Sequence, residues 1–177
     1  MNDNEQNAQI RQERAQDFPA VYNIHVKAFS RIEEARLTDR LRSSDAFIPE
    51  LSLVAIIENE IVGHILFTKV SIEHEYGQKE SLSLAPMAVR PDTQRKGVGT
   101  KLIQAGFEKA RQLGYKSVIV LGHPEYYTKF GFKPTSNWDI KPPFNVPNNA
   151  FMGMELIEDA FGNMKGIVQY PKEFQEI

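Results

Sequence analysis

The chain has no cysteine among its 177 residues. That excludes disulfides, thiolate metal sites and a catalytic cysteine, and it accords with a reducing, cytoplasmic setting. Neither sign of charge is in excess. Twenty-one Lys and Arg against 23 Asp and Glu give a formal net charge of -2, so no global field draws the chain to nucleic acid. Long apolar runs are missing as well. Stretches such as Leu53–Ile57 are far too short to span a bilayer, and the opening MNDNEQNAQ has no apolar segment of the kind a secretory signal needs. There is no internal repeat, no Gly-x-Ser-x-Gly elbow and no zincin motif. At 41% hydrophobic residues, what remains is a chain with enough apolar mass for one core. The expectation is a single domain over 1–177, with a core from about 8 to 156 and a C-terminal strand extension over 157–177.

Local patterns give the elements. Ala8–Arg14 reads as a short first strand. Asp17–Phe29 reads as a helix, with Asp17 as its cap, Pro19 in the first turn, and Val21, Ile24, Ala28 and Phe29 at helical spacing. Ile32–Arg42 continues as a helix whose charges read as a solvated face. Two β-branched runs within Leu51–Glu73 flank the polar break ENE, a hairpin signal. Glu80–Val89 is a third long strand with Pro86 inside it, which implies a bulge or a splayed edge. Leu102, Ile103, Gly106, Phe107, Ala110 and Leu113 define one face of a helix that Gly114 stops, and Lys116–Leu121 follows as a continuous apolar strand. Strand, glycine turn, helix and strand make a βαβ unit with parallel pairing. A short helix over Pro124–Phe132, a proline-bearing loop over 133–149, and closing strands at Ala150–Leu156 and Gly166–Tyr170 complete the chain. A strand at Gly166–Tyr170 would be an edge able to pair with a second copy, which makes a homodimer one candidate assembly.

The segment RPDTQRKGVGTKLIQAG, Arg90–Gly106, carries the chemistry. Gly97 and Gly99 sit where a turn opens a helix, at a cost of about 1 kcal/mol each relative to alanine. Orphan amides and the positive end of the macrodipole point outward there, and a missing Cβ lets an anion reach the backbone. Arg95 and Lys96 add positive charge. A pyrophosphate is the natural guest. Thr100 and Lys101 follow Gly99, so no Gly-Lys-Ser/Thr ending exists, and Leu102 occupies the third small position of the dinucleotide fingerprint.

What remains is Gln94-x-x-Gly97-x-Gly99 after a strand ending MAVRP. This resembles the coenzyme-A signature of the GNAT N-acetyltransferase superfamily. YYTKFGF, with Tyr127 four positions before Gly131-Phe132, is similar to that family's short tyrosine helix. EEARLTDRLR, LGHPEYYTKFGF and KPPFNVPNNAFMGMEL look closest to its bacterial YhbS-type subgroup. The resemblance implies a mixed α/β fold: a central, mostly antiparallel twisted sheet, splayed between strands 4 and 5 and flanked by about four helices. It implies acetyl-CoA as cosubstrate, no metal, and a primary amine on a small molecule or peptide as acceptor, attacked directly in a ternary complex.

The resemblance also implies residue roles. Main-chain groups of Met87, Ala88 and Val89 would bond the pantetheine arm and the thioester carbonyl. Gln94, Arg95, Lys96, Gly97, Val98, Gly99 and Thr100 would form the pyrophosphate cradle. Tyr127 would be the general acid for the departing thiol, with Tyr126 as a packing neighbour. The base is open between His123, Glu33 and Glu34 at the acceptor side, and water. His74 lies between Glu73 and Glu75, but in a strand the carboxylates take one face and the imidazole the other, so no metal site is expected. Two alternatives stand beside the enzyme: a non-catalytic acyl-CoA sensor or interaction module, and a binder of some other nucleotide.

Overall fold

The computed structural model describes residues 7–176. Residues 1–6, on which part of the leader reading rests, and Ile177 lie outside the described residues. The described chain forms two compact units: one from its start to Thr68 with Ala85–Lys109 and the segment from Lys172, the other from Lys69–Leu84 and Ala110–Pro171.

The first unit holds β1 (Gln9–Gln12), α1 (Phe18–Phe29), α2 (Glu33–Arg42), β2 (Phe47–Ile57), most of β3 (Glu60–His74), the end of β4 (Gly77–Val89) and most of α3 (Val98–Gln112). β1 pairs antiparallel with β2 from Gln9↔Ile56 to Gln12↔Leu53. β2 pairs antiparallel with β3, with Leu53 opposite Ile65 and Val54 opposite His64. The hairpin between them turns on Glu58 and Asn59, at φ 50 and 64. Two adjacent left-handed residues match the twist of a tight hairpin, which is why a three-residue polar break sufficed as a signal. Leu37 and Leu41 of α2 pack on Leu66 with Phe47 and Phe174 around them.

Two expectations change here. Asp17 makes no side-chain cap on α1. Its carboxylate instead accepts from Arg11 (2.6 and 3.0 Å) and from the Arg14 amide (2.7 Å), and the Arg11 guanidinium holds it below the usual carboxylate range. Nor do the charges of α2 form one solvated face. Glu34 is buried and paired with Arg31, and Arg42 is buried between Glu13 and Asp39.

The second unit holds the rest of β3 and β4, then β5 (Ser117–Leu121), α4 (Pro124–Tyr127), β6 (Lys133–Pro134), β7 (Ile140–Lys141), β8 (Phe151–Glu155) and β9 (Gly166–Gln169). β4 and β5 run parallel over Leu82↔Val118 and Ser83↔Ile119. β4 continues to Val89 and β5 to Leu121, while their pairing ends at Ser83↔Ile119. β8 pairs antiparallel with both β5 and β6. The core gathers Val70, Ile72, Ile119, Ile140, Phe151 and Phe161. Leu113, placed on the buried helix face by its spacing, falls just beyond α3 and is exposed.

β9 is not an edge. It pairs antiparallel with β3 (Ser71↔Gln169 to Glu73↔Ile167) and parallel with β7 (Ile140↔Gly166, Lys141↔Ile167). A dimer built on a free edge at Gly166–Tyr170 is therefore excluded at the paired residues: their ladder groups already have partners. The class is mixed α/β, an open, mostly antiparallel sheet with a parallel β4–β5 step and, among the described residues, four α-helices.

Candidate active site

β4 leads into the glycine turn within the first unit. The Arg90 amide donates to Val62 O of β3 at 2.7 Å. Main-chain groups alternate between the two edges of a strand. Ala88 therefore also faces β3, while Met87 and Val89 direct their N–H and C=O groups to the opposite edge. A Cβ built on Gly63 of β3 would lie 3.4 Å from Ala88 O, in agreement. On the opposite edge the Gln94 side-chain amide donates to Val89 O at 3.0 Å. Gln94 thus ties the turn back onto the strand, a contact that the motif spacing does not reveal.

Pro91–Thr93 form one 3-10 turn, with Thr93 Oγ1 donating to Arg90 O at 3.0 Å. Arg95 and Gly97 then adopt left-handed φ values of 61 and 80. That conformation explains Gly97 directly. Arg95 in it is uncommon for a residue with a Cβ. α3 begins at Val98, and the Lys101 amide donates to Gly97 O at 3.1 Å. The amides of Val98, Gly99 and Thr100 accordingly have no partner within the helix. The place a Gly97 Cβ would occupy has no atom within 4 Å, so the backbone there borders open space. Gln94 and Arg95 are exposed and Lys96 half-buried, whereas the Val98 side chain belongs to the core and offers only its N–H to the turn. Arg90, by contrast, is engaged with Glu60 and Asp92 at 2.9 and 2.6 Å.

Tyr127 and His123 lie in the second unit. α4 starts after His123, whose carbonyl accepts from the amides of both Tyr126 and Tyr127 at 3.1 Å. The His123 side chain is exposed and makes no capping bond. The Tyr127 ring stands edge-on to Phe132 (centroids 5.6 Å) and to Tyr126 (5.0 Å). A Cβ on Gly122 would fall onto that ring, 2.8 Å from Cδ2, so a bare backbone at 122 makes room for it. Burial, then the neighbouring Tyr126, pushes the Tyr127 hydroxyl well above the ordinary phenol value, so it stays protonated. Tyr126 packs on Phe130 (5.3 Å).

Of the two carboxylates expected at the acceptor side, Glu34 is held by both its oxygens on Arg31 Nε at 3.0 Å. Glu33 Oε2 is buried without a hydrogen-bond partner. Sequence reasoning missed a further polar chain in the first unit, Glu13–Ser52–His64–His25. Ser52 Oγ lies 2.6 Å from Glu13 Oε2 and 2.9 Å from His64 Nε2, and His64 Nδ1 lies 2.9 Å from His25 Nε2. Directly bonded members are up to 39 positions apart in sequence, and no spacing rule joins them.

Comparison with known proteins follows the same lines. A model of the Acetyltransferase (GNAT) family matches residues 18–132. The chain is 38% identical over 132 residues to the uncharacterized N-acetyltransferase YjhQ of Escherichia coli K12, covering 74% of this chain and 73% of that protein. It is 30% identical over 166 residues to the uncharacterized N-acetyltransferase YhbS of the same strain, covering 93% and 97%. The crystal structure of E. coli YhbS in complex with CoA matches with a TM-score of 0.88 at 27% identity, over 95% of this chain and 92% of that one. A GNAT-family acetyltransferase from Brucella melitensis, in complex with acetyl-CoA, matches with a TM-score of 0.76 at 30% identity, over 94% and 97%. With its glycine turn ahead of α3 and its tyrosine helix ahead of Gly131-Phe132, the chain belongs to the GNAT acetyltransferase family, in its YhbS-type branch.

Proposed function

We propose that this chain is one acetyltransferase domain over 1–177 that moves the acetyl group of acetyl-CoA to a primary amine by direct attack in a ternary complex. The observation that carries this reading is the turn 94–100: left-handed backbone at Gly97, open space beside it, and the unpaired first amides of α3. A diphosphate fits that donor set, because three N–H groups and the helix dipole favour the same anion. Gln94, by holding Val89 O, fixes the spacing between this cradle and the end of β4. Relatives crystallised with CoA and acetyl-CoA support the same cosubstrate here.

Bound acetyl-CoA supplies a thioester carbonyl and a thiolate leaving group. On this chain, the main chain of Met87 and Val89 takes the pantetheine arm on the edge turned away from β3, with Ala88 between them as part of the same stretch. The Val89 N–H is the donor for the charge that develops on the carbonyl oxygen. As the C–N bond forms and the C–S bond breaks, Tyr127 offers its hydroxyl to the departing sulfur. An ordinary thiol has a pKa of about 8.5, and burial raises the Tyr127 phenol above its usual range. Tyr127 therefore stabilises the sulfur as a hydrogen-bond donor more than by full proton transfer. The amine itself, with a pKa of about 10.4 if lysine-like, must lose a proton. The exposed His123, the unpartnered Glu33 oxygen and solvent are the routes considered, with Glu34 set aside by its tie to Arg31. The absence of cysteine supports a cytoplasmic setting.

The test is free-thiol release from acetyl-CoA across a broad panel of primary amines. Amine-dependent release with an acetylated product supports the proposal. Tight CoA binding with no turnover on any amine would favour a non-catalytic acyl-CoA sensor, and binding of ATP or NAD in place of CoA would overturn both readings.

A further inference from the structure

We propose that the buried imidazole pair His25–His64 is an acid-release latch holding helix α1 against strand β3. Both residues are 0% exposed. His25 lies on α1 and His64 on β3, and their contact at 2.9 Å links elements 39 residues apart. The rest of the chain fixes its polarity. Arg42 of α2 donates to both oxygens of Glu13, with Nη2 at 2.5 Å and Nε at 3.3 Å, so both Glu13 oxygens serve as acceptors. Ser52 has one proton and gives it to Glu13. His64 Nε2–H must then donate to Ser52 Oγ, which leaves His64 Nδ1 as an acceptor. His25 Nε2–H donates to that nitrogen, and His25 Nδ1 is left as a lone pair. It is buried and has no hydrogen-bond partner.

That dead end makes the latch one-sided. While both rings are neutral, three successive hydrogen bonds are satisfied and one acceptor is idle. A proton can enter only at His25 Nδ1, and it would create a buried cation with an orphan N–H. The groups facing the pair do not compensate it. From α2 comes the Arg42 cation; the Glu13 carboxylate behind β1 has Oε1 3.8 Å from His64 Nε2, but both its oxygens are bonded by Arg42, whose outer side meets Asp39. From β2 comes only the Ser52 hydroxyl, and on α1 itself the Phe29 ring stacks on His25 at 6.2 Å. Burial first, then the neighbouring positive groups, pushes His25 down to about 2 and His64 down to about 3. Release of α1 returns an imidazole to water, where it titrates near 6.5. The folded value is depressed, so the latch is fully closed above about pH 6.5 and weakens as pH falls below it.

Between pH 7.5 and 5.5 the opening equilibrium of α1 should rise about 10-fold if one imidazole protonates on opening, and about 100-fold if both do. The experiment is hydrogen exchange of the full chain at those two pH values, corrected for intrinsic exchange rates. It reads peptides covering Phe18–Phe29 and, as an internal control, Val98–Gln112. Expected is loss of protection in α1 with α3 unchanged. His25→Phe, which keeps a ring beside Phe29, and His64→Gln, which can still donate to Ser52, should each shrink the pH effect. Equal protection of α1 at both pH values in the wild type overturns the latch, whatever the variants do. So does an equal loss in α1 and α3, which would mean global unfolding, and so does an undiminished pH effect in a folded variant.

Discussion

Gly106 sits on the face of α3 that meets β3. A Cβ built there would lie 2.5 Å from Cζ and 3.2 Å from Cδ2 of Phe67. Phe67 is 0% exposed and edge-on to Phe107 at 6.3 Å between centroids, so its ring is held within the packed core. Gly106 lies outside the left-handed region, and the backbone would accept alanine. Two opposed effects decide the outcome of Gly106→Ala. Helix propensity favours alanine by about 1 kcal/mol. Overpacking a filled core costs about 1–3 kcal/mol. The contact is shorter than real Cβ atoms tolerate and its partner is an immobilised ring, so the cost falls toward the upper end. The net loss is about 1–2 kcal/mol, or roughly 2–8 °C in Tm for a chain of this size. Urea and thermal denaturation measure it. In a Phe67→Leu background the same substitution should be close to neutral or mildly stabilising, because the ring is gone. A gain of about 1 kcal/mol in the wild-type background would refute the close approach, since that is the result for an uncrowded helix. The consequence reaches the site: α3 carries the turn amides at its N-terminus, so α3 pushed off β3 should also bind CoA more weakly.

Three further outcomes are expected. Tyr127→Phe should lower kcat by about 10- to 100-fold, the loss of one hydrogen bond to a charged sulfur, with acetyl-CoA affinity kept; steady-state kinetics beside calorimetric binding checks it, and an unchanged kcat removes Tyr127 from the mechanism. Gly99→Glu should lose CoA affinity because it sets a carboxylate beside the diphosphate, and titration calorimetry showing wild-type affinity would move the cradle elsewhere. Asp17→Asn should cost about 1–3 kcal/mol at neutral pH through the part-buried bonds to Arg11 and the Arg14 amide. The folded Asp17 carboxyl is held down, so its contribution is present above about pH 3.9 and fades as pH falls through the folded value; denaturation of both proteins across that range should show the gap closing, and a constant gap would assign the loss to something other than charge.

Elements that declare themselves locally were legible in the sequence. The βαβ step follows from a glycine turn, an apolar helical face and Gly114, which takes φ 88 just past α3. The β2–β3 hairpin follows from its flanking β-branched runs, although β2 starts at Phe47, before Pro49 and Glu50 interrupt its apolar character. What the sequence hides is partnership at a distance. β4 begins at Gly77, three positions before the start expected at Glu80, in a stretch with no apolar pattern to mark it. The two-residue β7, inside a proline-bearing loop, carries too little pattern to announce that it covers one side of β9. Asp17 has the chemistry of a helix cap and is taken by Arg11 instead. At the site, Gly97 was readable because glycine is what a left-handed turn favours, while the same conformation at Arg95 was not. Charged and imidazole side chains read as surface by default, so the burial of Glu13, Arg42, His25 and His64 waits on partners that only the fold supplies.

The most direct measurement is a crystal structure of this protein grown or soaked with acetyl-CoA. Diphosphate oxygens within about 3 Å of main-chain amides between Arg95 and Thr100 are expected, with the thioester carbonyl at the Val89 N–H. A cofactor ordered elsewhere, with those amides turned inward or covered by side chains, would contradict the assignment of the turn.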